Sequence, residues 1–318
     1  MRRYIIKRIL HGLFVMWLVA TVLFFGLRAL PGGPVRTMLG QDATPETVNR
    51  LRNELGLNDP LPVQYVDWMT DLLVLNFGQD IVSREAVSTL LASAVPKTFS
   101  IGIVAIIIGL SLGLSTGIVS AVKRDHPVDY VSTVAAFLGL SVPAFFIGIV
   151  LAVVFAVELG LLPTFGYTPL SEGFVPWLEH LILPGVAVGL PYAAVIMRIT
   201  RSSLLEVEGE MYMQTAYAKG VNSRTQLYKH ALPNALLPVV TIAGIQVAIV
   251  LVGSVTVELV FGIRGLGRLL VNSILSRNYP ITQGTIIVVA AVMVTVNLVV
   301  DVVYTFIDPR IRYGDGQR

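Results

Sequence analysis

Six stretches of this chain, roughly 9–28, 98–122, 131–158, 181–200, 235–258 and 284–307, are almost continuously apolar and nearly free of charge. A helix needs about 20 apolar residues to cross roughly 30 Å of hydrocarbon, and each stretch supplies that length. Lipid offers no partner to an open backbone group, so every stretch predicts a membrane-spanning helix and the fold class expected is an all-α polytopic membrane protein. Two polar segments interrupt the pattern at length. The first, 31–97, opens on the turn cluster Pro31-Gly32-Gly33-Pro34. Thr44-Pro45-Glu46-Thr47 then reads as a helix start with Thr44 as cap, and Leu51, Leu55 and Leu57 give that helix a weak apolar face. After Asn58-Asp59-Pro60, the spacing of Val63, Tyr65, Val66, Met69, Leu72 and Leu73 predicts a second amphipathic helix over 63–77.

The second polar segment lies between the fourth and fifth spans, in 201–235. Glu206, Glu208 and Glu210 precede a helix carrying Gln214-Thr215-Ala216 to Lys219, an order that suits the helix dipole. Gly220 reads as its C-cap, and Ser223-Arg224-Thr225-Gln226 matches a capping box for a second short helix. Pro233 and Pro238 are expected to break the chain's direction on entry into the fifth span. The product is a compact knob whose small residues Ala216, Ala218 and Gly220 let another surface approach. The residues alone equally fit a re-entry turn with amphipathic helices lying on the lipid headgroups.

A hydrophobic share of 54%, a charged share of 14% and a mean hydropathy of +0.75 exclude a soluble protein of this size. Cysteine is absent, which removes disulfides and thiol chemistry, and His11, His126, His180 and His230 are too scattered for a local metal site. The first apolar run follows Arg2, Arg3, Lys7 and Arg8 but is too long for a signal peptide and lacks a small-residue cleavage site, so it is read as a retained helix. With the N-terminus inside, 14 of the 23 Lys and Arg residues fall on the inner side and 9 on the outer. This bias predicts both termini and 201–235 on the cytoplasmic side.

Few ionisable groups enter the spans. Asp301 lies in the sixth and Arg198 at similar depth in the fourth, so an intramembrane ion pair between them or interfacial solvation is expected, with a proton-relay role for Asp301 as the other reading. Glu158 and Glu258, at outer ends of spans, are expected to be solvated. Gln246 and Asn297 suit either interhelical hydrogen bonds or the lining of a path. Gly109, Gly113, Gly117, Gly139, Gly148, Gly185, Gly189 and Gly253 suit close helix packing.

From Gly220, nine residues lead to His230-Ala231-Leu232-Pro233. This spacing resembles the cytoplasmic "EAA" loop of ABC-type import permeases, although Gln214 and Thr215 stand where the motif has Glu and the first Ala. Other segments, among them Leu30-Pro31-Gly32-Gly33-Pro34, Gly56-Leu57-Asn58-Asp59-Pro60, Ser141-Val142-Pro143-Ala144-Phe145-Phe146, Leu161-Leu162-Pro163-Thr164-Phe165-Gly166, Arg198-Ile199-Thr200-Arg201-Ser202-Ser203-Leu204-Leu205-Glu206-Val207 and Asp308-Pro309-Arg310, are similar to the first membrane subunit of dipeptide/oligopeptide ABC importers. That group also contains nickel and glutathione permeases. Asn76-Phe77-Gly78-Gln79-Asp80 departs from the family's turn at that place.

The resemblance implies a type I ABC importer permease fold of six transmembrane helices. It implies an N-terminal helix (1–30), an external segment (31–97), a core domain (98–308) holding the docking loop 201–235, and a cytoplasmic tail (309–318). It also implies that Glu210, Gln214, Thr215, Ala216, Ala218, Lys219, Gly220 and Pro233 form an ATPase-docking surface. A second homologous permease subunit, two ATPase subunits and an external substrate-binding protein would be the partners, in the inner membrane of a prokaryote. The 31–97 segment then reads either as a cap on the membrane core or as the surface that receives the binding protein. No Gly-x4-Gly-Lys-Ser/Thr loop is present, so ATP and Mg would be used by the partners, with no cofactor and no catalytic residue in this chain. Di- or oligopeptides are the expected cargo, nickel or glutathione the alternatives. An ion-coupled secondary transporter is a more distant rival, because Asp301 alone near one edge supports it poorly.

Overall fold

The structure, a computed structural model, describes residues 2–29, 35, 44–54 and 56–307. The turn cluster at 31–34, Leu55 and the tail from Asp308 lie outside the described residues. The chain forms two compact units, Met1–Lys97 with Arg264–Thr295, and Thr98–Ile263 with Val296–Arg318.

In the first unit, α1 (Arg2–Ala29) carries an aromatic cluster near its end. α2 (Pro45–Glu54) starts as its sequence predicts, with the Thr47 amide donating to Thr44 Oγ1 at 3.3 Å. α3 (Leu61–Leu73) packs on α1 through Tyr65, stacked 5.6 Å from Phe25, and Trp68, 5.5 Å from Phe24. The Arg28 guanidinium lies 3.4 Å from the centroid of the Phe24 ring and donates through Nε to Gln64 Oε1 at 2.9 Å. α3 stops before the expected residue 77 because the chain reverses at Leu75, whose φ is 57°, and the Asn76 amide turns back to the Asp71 carbonyl at 2.9 Å. Within this unit α11 (Tyr279–Ile307) approaches α1 closely, since a Cβ on Gly12 would stand 2.6 Å from Val294 Cγ1. α10 (Leu266–Leu275) was not foreseen. It is too short to span a membrane and opens on glycine, so it resembles a loop in sequence. Leu266 nevertheless packs with Val87, Leu91, Ala94 and Ile281.

The second unit is built on α4 (Val87–Val122, from Thr98 onward), α5 (Pro127–Ser141), α6 (Ala144–Leu151), α7 (Phe174–Glu208) and α9 (Leu232–Val260). The span expected over 131–158 is not one straight helix. α5 and α6 with its π-helical continuation Ala152–Glu158 are bent by 106° at Val142–Pro143. Val142 precedes a proline and takes extended backbone, ψ 126°, and Pro143 cannot donate the amide that would continue the helix. Among the described residues, five helices are long and apolar enough to cross a membrane, or six if the bent pair counts as one span.

α4 and α7 meet along a glycine stripe. A Cβ on Gly109 would stand 2.9 Å from the Gly189 carbonyl, on Gly113 2.7 Å from the Ala193 carbonyl, and on Gly117 2.8 Å from the Met197 carbonyl. Gly185 and Gly189 present the same closeness from α7, toward Val104 and the Ala105 carbonyl. Backbone-to-backbone approach of this kind replaces the hydrophobic drive that lipid removes. Gly253 is not part of it, because a Cβ there meets nothing within 4 Å.

Candidate docking loop

α7 ends at Glu208, capped by Gly209, and the chain turns through Glu210, φ −70° and ψ 146°, into α8 (Met211–Ala218). Glu206 and Glu208 therefore lie in the last turn of α7, at its negative end, and not at the start of α8 as the sequence suggests. Only Glu210 is at the α8 N-cap, and its side chain makes no cap hydrogen bond. At the other end Gly220 takes φ +71°. Its amide donates to the Tyr217 carbonyl at 2.9 Å and that of Val221 to the Ala216 carbonyl at 3.2 Å, a Schellman closure. A Cβ on Gly220 meets nothing within 4 Å, so backbone conformation, not crowding inside the chain, requires glycine here.

The second short helix, Ser223–Thr225, is capped one residue earlier than expected. Asn222 Oδ1 accepts from the Thr225 amide at 2.8 Å, and Gln226 Nε2 donates to the Val221 carbonyl at 2.6 Å. A π-helical turn, Gln226–Ala231, then runs straight into α9. Pro233 and Pro238 thus do not break direction. Pro233 follows directly on the π-helical turn, and Pro238 is carried inside the helix.

A buried side chain fastens the knob. Met213 is buried among Ala121 of α4, Leu204 of α7, Ala231 and Ala235. Around it, Gln214, Thr215, Ala218, Lys219, Gly220 and Pro233 are exposed and Ala216 is half-buried. Two large apolar groups project outward, Met211 at 79% and Tyr217 at 77% exposure. Met213, Gln214, Tyr217, Arg224 and Leu227 line a cleft of about 520 Å³ beside α8. Asn234 Nδ2 donates to Tyr212 Oη at 2.9 Å, tying α8 to α9. Nothing in the sequence sets Met213 apart, since it is one of two methionines flanking Tyr212 in a short helix and is followed by the polar Gln214.

Near the same end of α7, Arg201 donates through Nε to Asp129 Oδ1 at 2.7 Å and through Nη2 to Asp129 Oδ2 at 2.8 Å. The expected pair of Arg198 with Asp301 is not among the ion pairs of the described residues. Arg198 is exposed in a cleft lined by Asp125, Tyr130, Phe137 and Arg201, and Asp301 is half-buried. One helical turn separates Arg198 from Arg201, and Arg201 is the one that meets Asp129 at the start of α5. Glu258 also departs from expectation. It is fully buried and accepts from Thr98 Oγ1 at 2.7 Å, while Glu158 is exposed. Gln246 is half-buried and Asn297 exposed.

The family model described as "Binding-protein-dependent transport system inner membrane component" matches residues 110–313, and the model for the N-terminal part of such components matches 1–102. A probable peptide ABC transporter permease of Sinorhizobium fredii is 42% identical over 310 residues, covering 98% of this chain and 99% of its own. A glutathione transport system permease of Salmonella choleraesuis is 40% identical over 313 residues, covering 98% and 100%. The membrane fold is that of type I ABC importer permeases. The inward-facing MetNI methionine ABC transporter superposes with a TM-score of 0.58 at 19% identity, over 70% of this chain and 97% of the other.

Proposed function

Because this chain belongs to the family of binding-protein-dependent transport system inner membrane components, and is thus a non-enzymatic ABC importer permease, we propose that it translocates di- or oligopeptides across the cytoplasmic membrane, coupled to ATPase partners through α8. The observation that carries the coupling is the exposure of Met211 and Tyr217 on a polar loop, on a helix anchored by a single buried methionine. Exposed large apolar groups on a rigid projection outside the lipid suit a protein partner better than water.

In this reading two ATPase subunits, which use ATP and Mg, engage this loop and the loop of a second, similar permease subunit. Their closure moves the two knobs and rocks the packed helices between inward- and outward-open states. An external binding protein delivers the cargo. Peptide is favoured because this chain and the Sinorhizobium relative named for peptide align over nearly their full lengths. Glutathione, itself a small peptide, is the second reading, on the Salmonella relative; nickel is retained from the sequence resemblance alone. Ligand binding by the partner binding protein separates them.

The test is reconstitution with the partner subunits. Tyr217→Ser and Ala218→Glu alter exposed positions only, and are expected to leave membrane insertion intact while weakening ATPase association and abolishing uptake. Wild-type assembly and uptake in both would overturn the docking role. For topology, a single cysteine at Lys219 is expected to resist an impermeant thiol reagent in intact cells and to react after permeabilisation. Labelling in intact cells would invert the orientation.

A further inference from the structure

A buried carboxylate is shared by three helices of the second unit. Asp129 of α5, 3% exposed, accepts hydrogen bonds on both oxygens: Oδ1 from Ser120 Oγ of α4 and from Arg201 Nε of α7, and Oδ2 from Arg201 Nη2 and from the Asp125 amide at 3.2 Å. A fork gripping a carboxylate sets distance and orientation together. Pulling it apart leaves the buried Asp129 carboxylate without its opposite charge. The neighbours of these residues hold the docking helix. Ala121 follows Ser120, Leu204 is one turn beyond Arg201, and both pack on Met213. In the other direction α5 leads from Asp129 to the 106° bend at Val142–Pro143.

We propose that Asp129 and Arg201 are positioning residues that join the ends of α4, α5 and α7 into one rigid base under α8. A displacement imposed on α8 is then carried to α5 and the bend rather than absorbed where the loop meets the helices. This rests on α8 being the element that partners grip. Without the clamp, the fork that fixes the orientation of α5 on α7 is lost, and ATP hydrolysis becomes disconnected from movement of the bent segment.

The test exploits the absence of native cysteine. Asp129→Cys with Arg201→Cys is placed in the complete complex in proteoliposomes. Uptake per ATP hydrolysed is measured before and after the two thiols are joined by a short bifunctional methanethiosulfonate. Unjoined, the ratio is expected to fall by about fivefold or more, the scale of ordinary coupling energies, with ATPase activity retained; joined, most of it returns. A wild-type ratio without the linker, or arrested transport with it, overturns the proposal. If the cysteine pair does not assemble, Arg201→Lys, which keeps charge and loses the fork, is read instead. A lower ratio at normal assembly supports the clamp; an unchanged ratio, or loss of uptake and hydrolysis in proportion, refutes it. Wild-type complex without ATP-driven uptake would instead sink the docking reading, independently of the clamp.

Discussion

Arg201 meets Asp129 across α7 and α5 with its side chain 30% exposed and that of Asp129 4% exposed, so the pair is buried on the acid side and wet on the other. Removing one member of a fully buried pair costs roughly 3–5 kcal/mol, and the exposed part of Arg201 places this pair toward the lower end. Asp129→Ala is expected to lower thermal stability in detergent. Asp129→Leu combined with Arg201→Met is expected to restore much of the loss, because no charge is then left without its partner. A double variant no more stable than Asp129→Ala would show that the carboxylate, rather than the pairing, supplies the stability.

The glycine stripe predicts a sharp contrast between two helical glycines. A methyl on Gly113 would press on the Ala193 carbonyl at 2.7 Å and on Ile196. Overpacking of this sort costs about 1–3 kcal/mol. Gly113→Ala is expected to destabilise the second unit, whereas Gly253→Ala, with open space around it, should be neutral or gain up to about 1 kcal/mol of helix propensity. Thermal unfolding of the two single variants in one detergent checks the order. Equal stability in both would mean that α4 and α7 do not rest backbone to backbone.

Gly220 separates backbone strain from surface chemistry. A left-handed conformation costs an ordinary L-residue about 1–2 kcal/mol, and asparagine less. With nothing within 4 Å of its Cβ position, Gly220→Asn should keep the Schellman closure and Gly220→Val should fray the end of α8. Protease sensitivity of the 209–222 loop is expected to rise for valine alone. If asparagine frays it as much, the turn is not the reason for glycine.

Asp80, outside the spans, gives the first unit an acid-sensitive contact. Burial pushes its carboxyl up, but hydrogen bonds from Ser83, the Val82 amide and Asn278 outweigh this and bring it below its ordinary 3.8. A depressed acid stabilises the fold above the unfolded value. That stability declines as pH falls below 3.8 toward the lower folded value. Acid titration followed by intrinsic fluorescence is expected to show a shallower loss of structure in Asp80→Asn, which has no proton to take up. An identical acid profile would remove Asp80 from the pH dependence.

The chain's hydrophobic pattern determined by itself that this is a helical membrane protein, because length and apolarity alone commit a segment to lipid. It also determined where the polar loop between α7 and α9 lies, because a polar run between spans has nowhere else to go, and it marked Gly220, because a helix end with left-handed backbone favours one residue type. Tertiary structure decided the rest. Whether 131–158 was one rod or two depended on how the chain accommodated Pro143, which prolines inside α7 and α9 show is not dictated by proline alone. Whether Arg198 or Arg201 found an acid, and whether Glu258 faced water or Thr98, depended on which helix lay opposite. The relative rotation of helices far apart in sequence sets those partners, and the pattern along one strand of residues does not encode it.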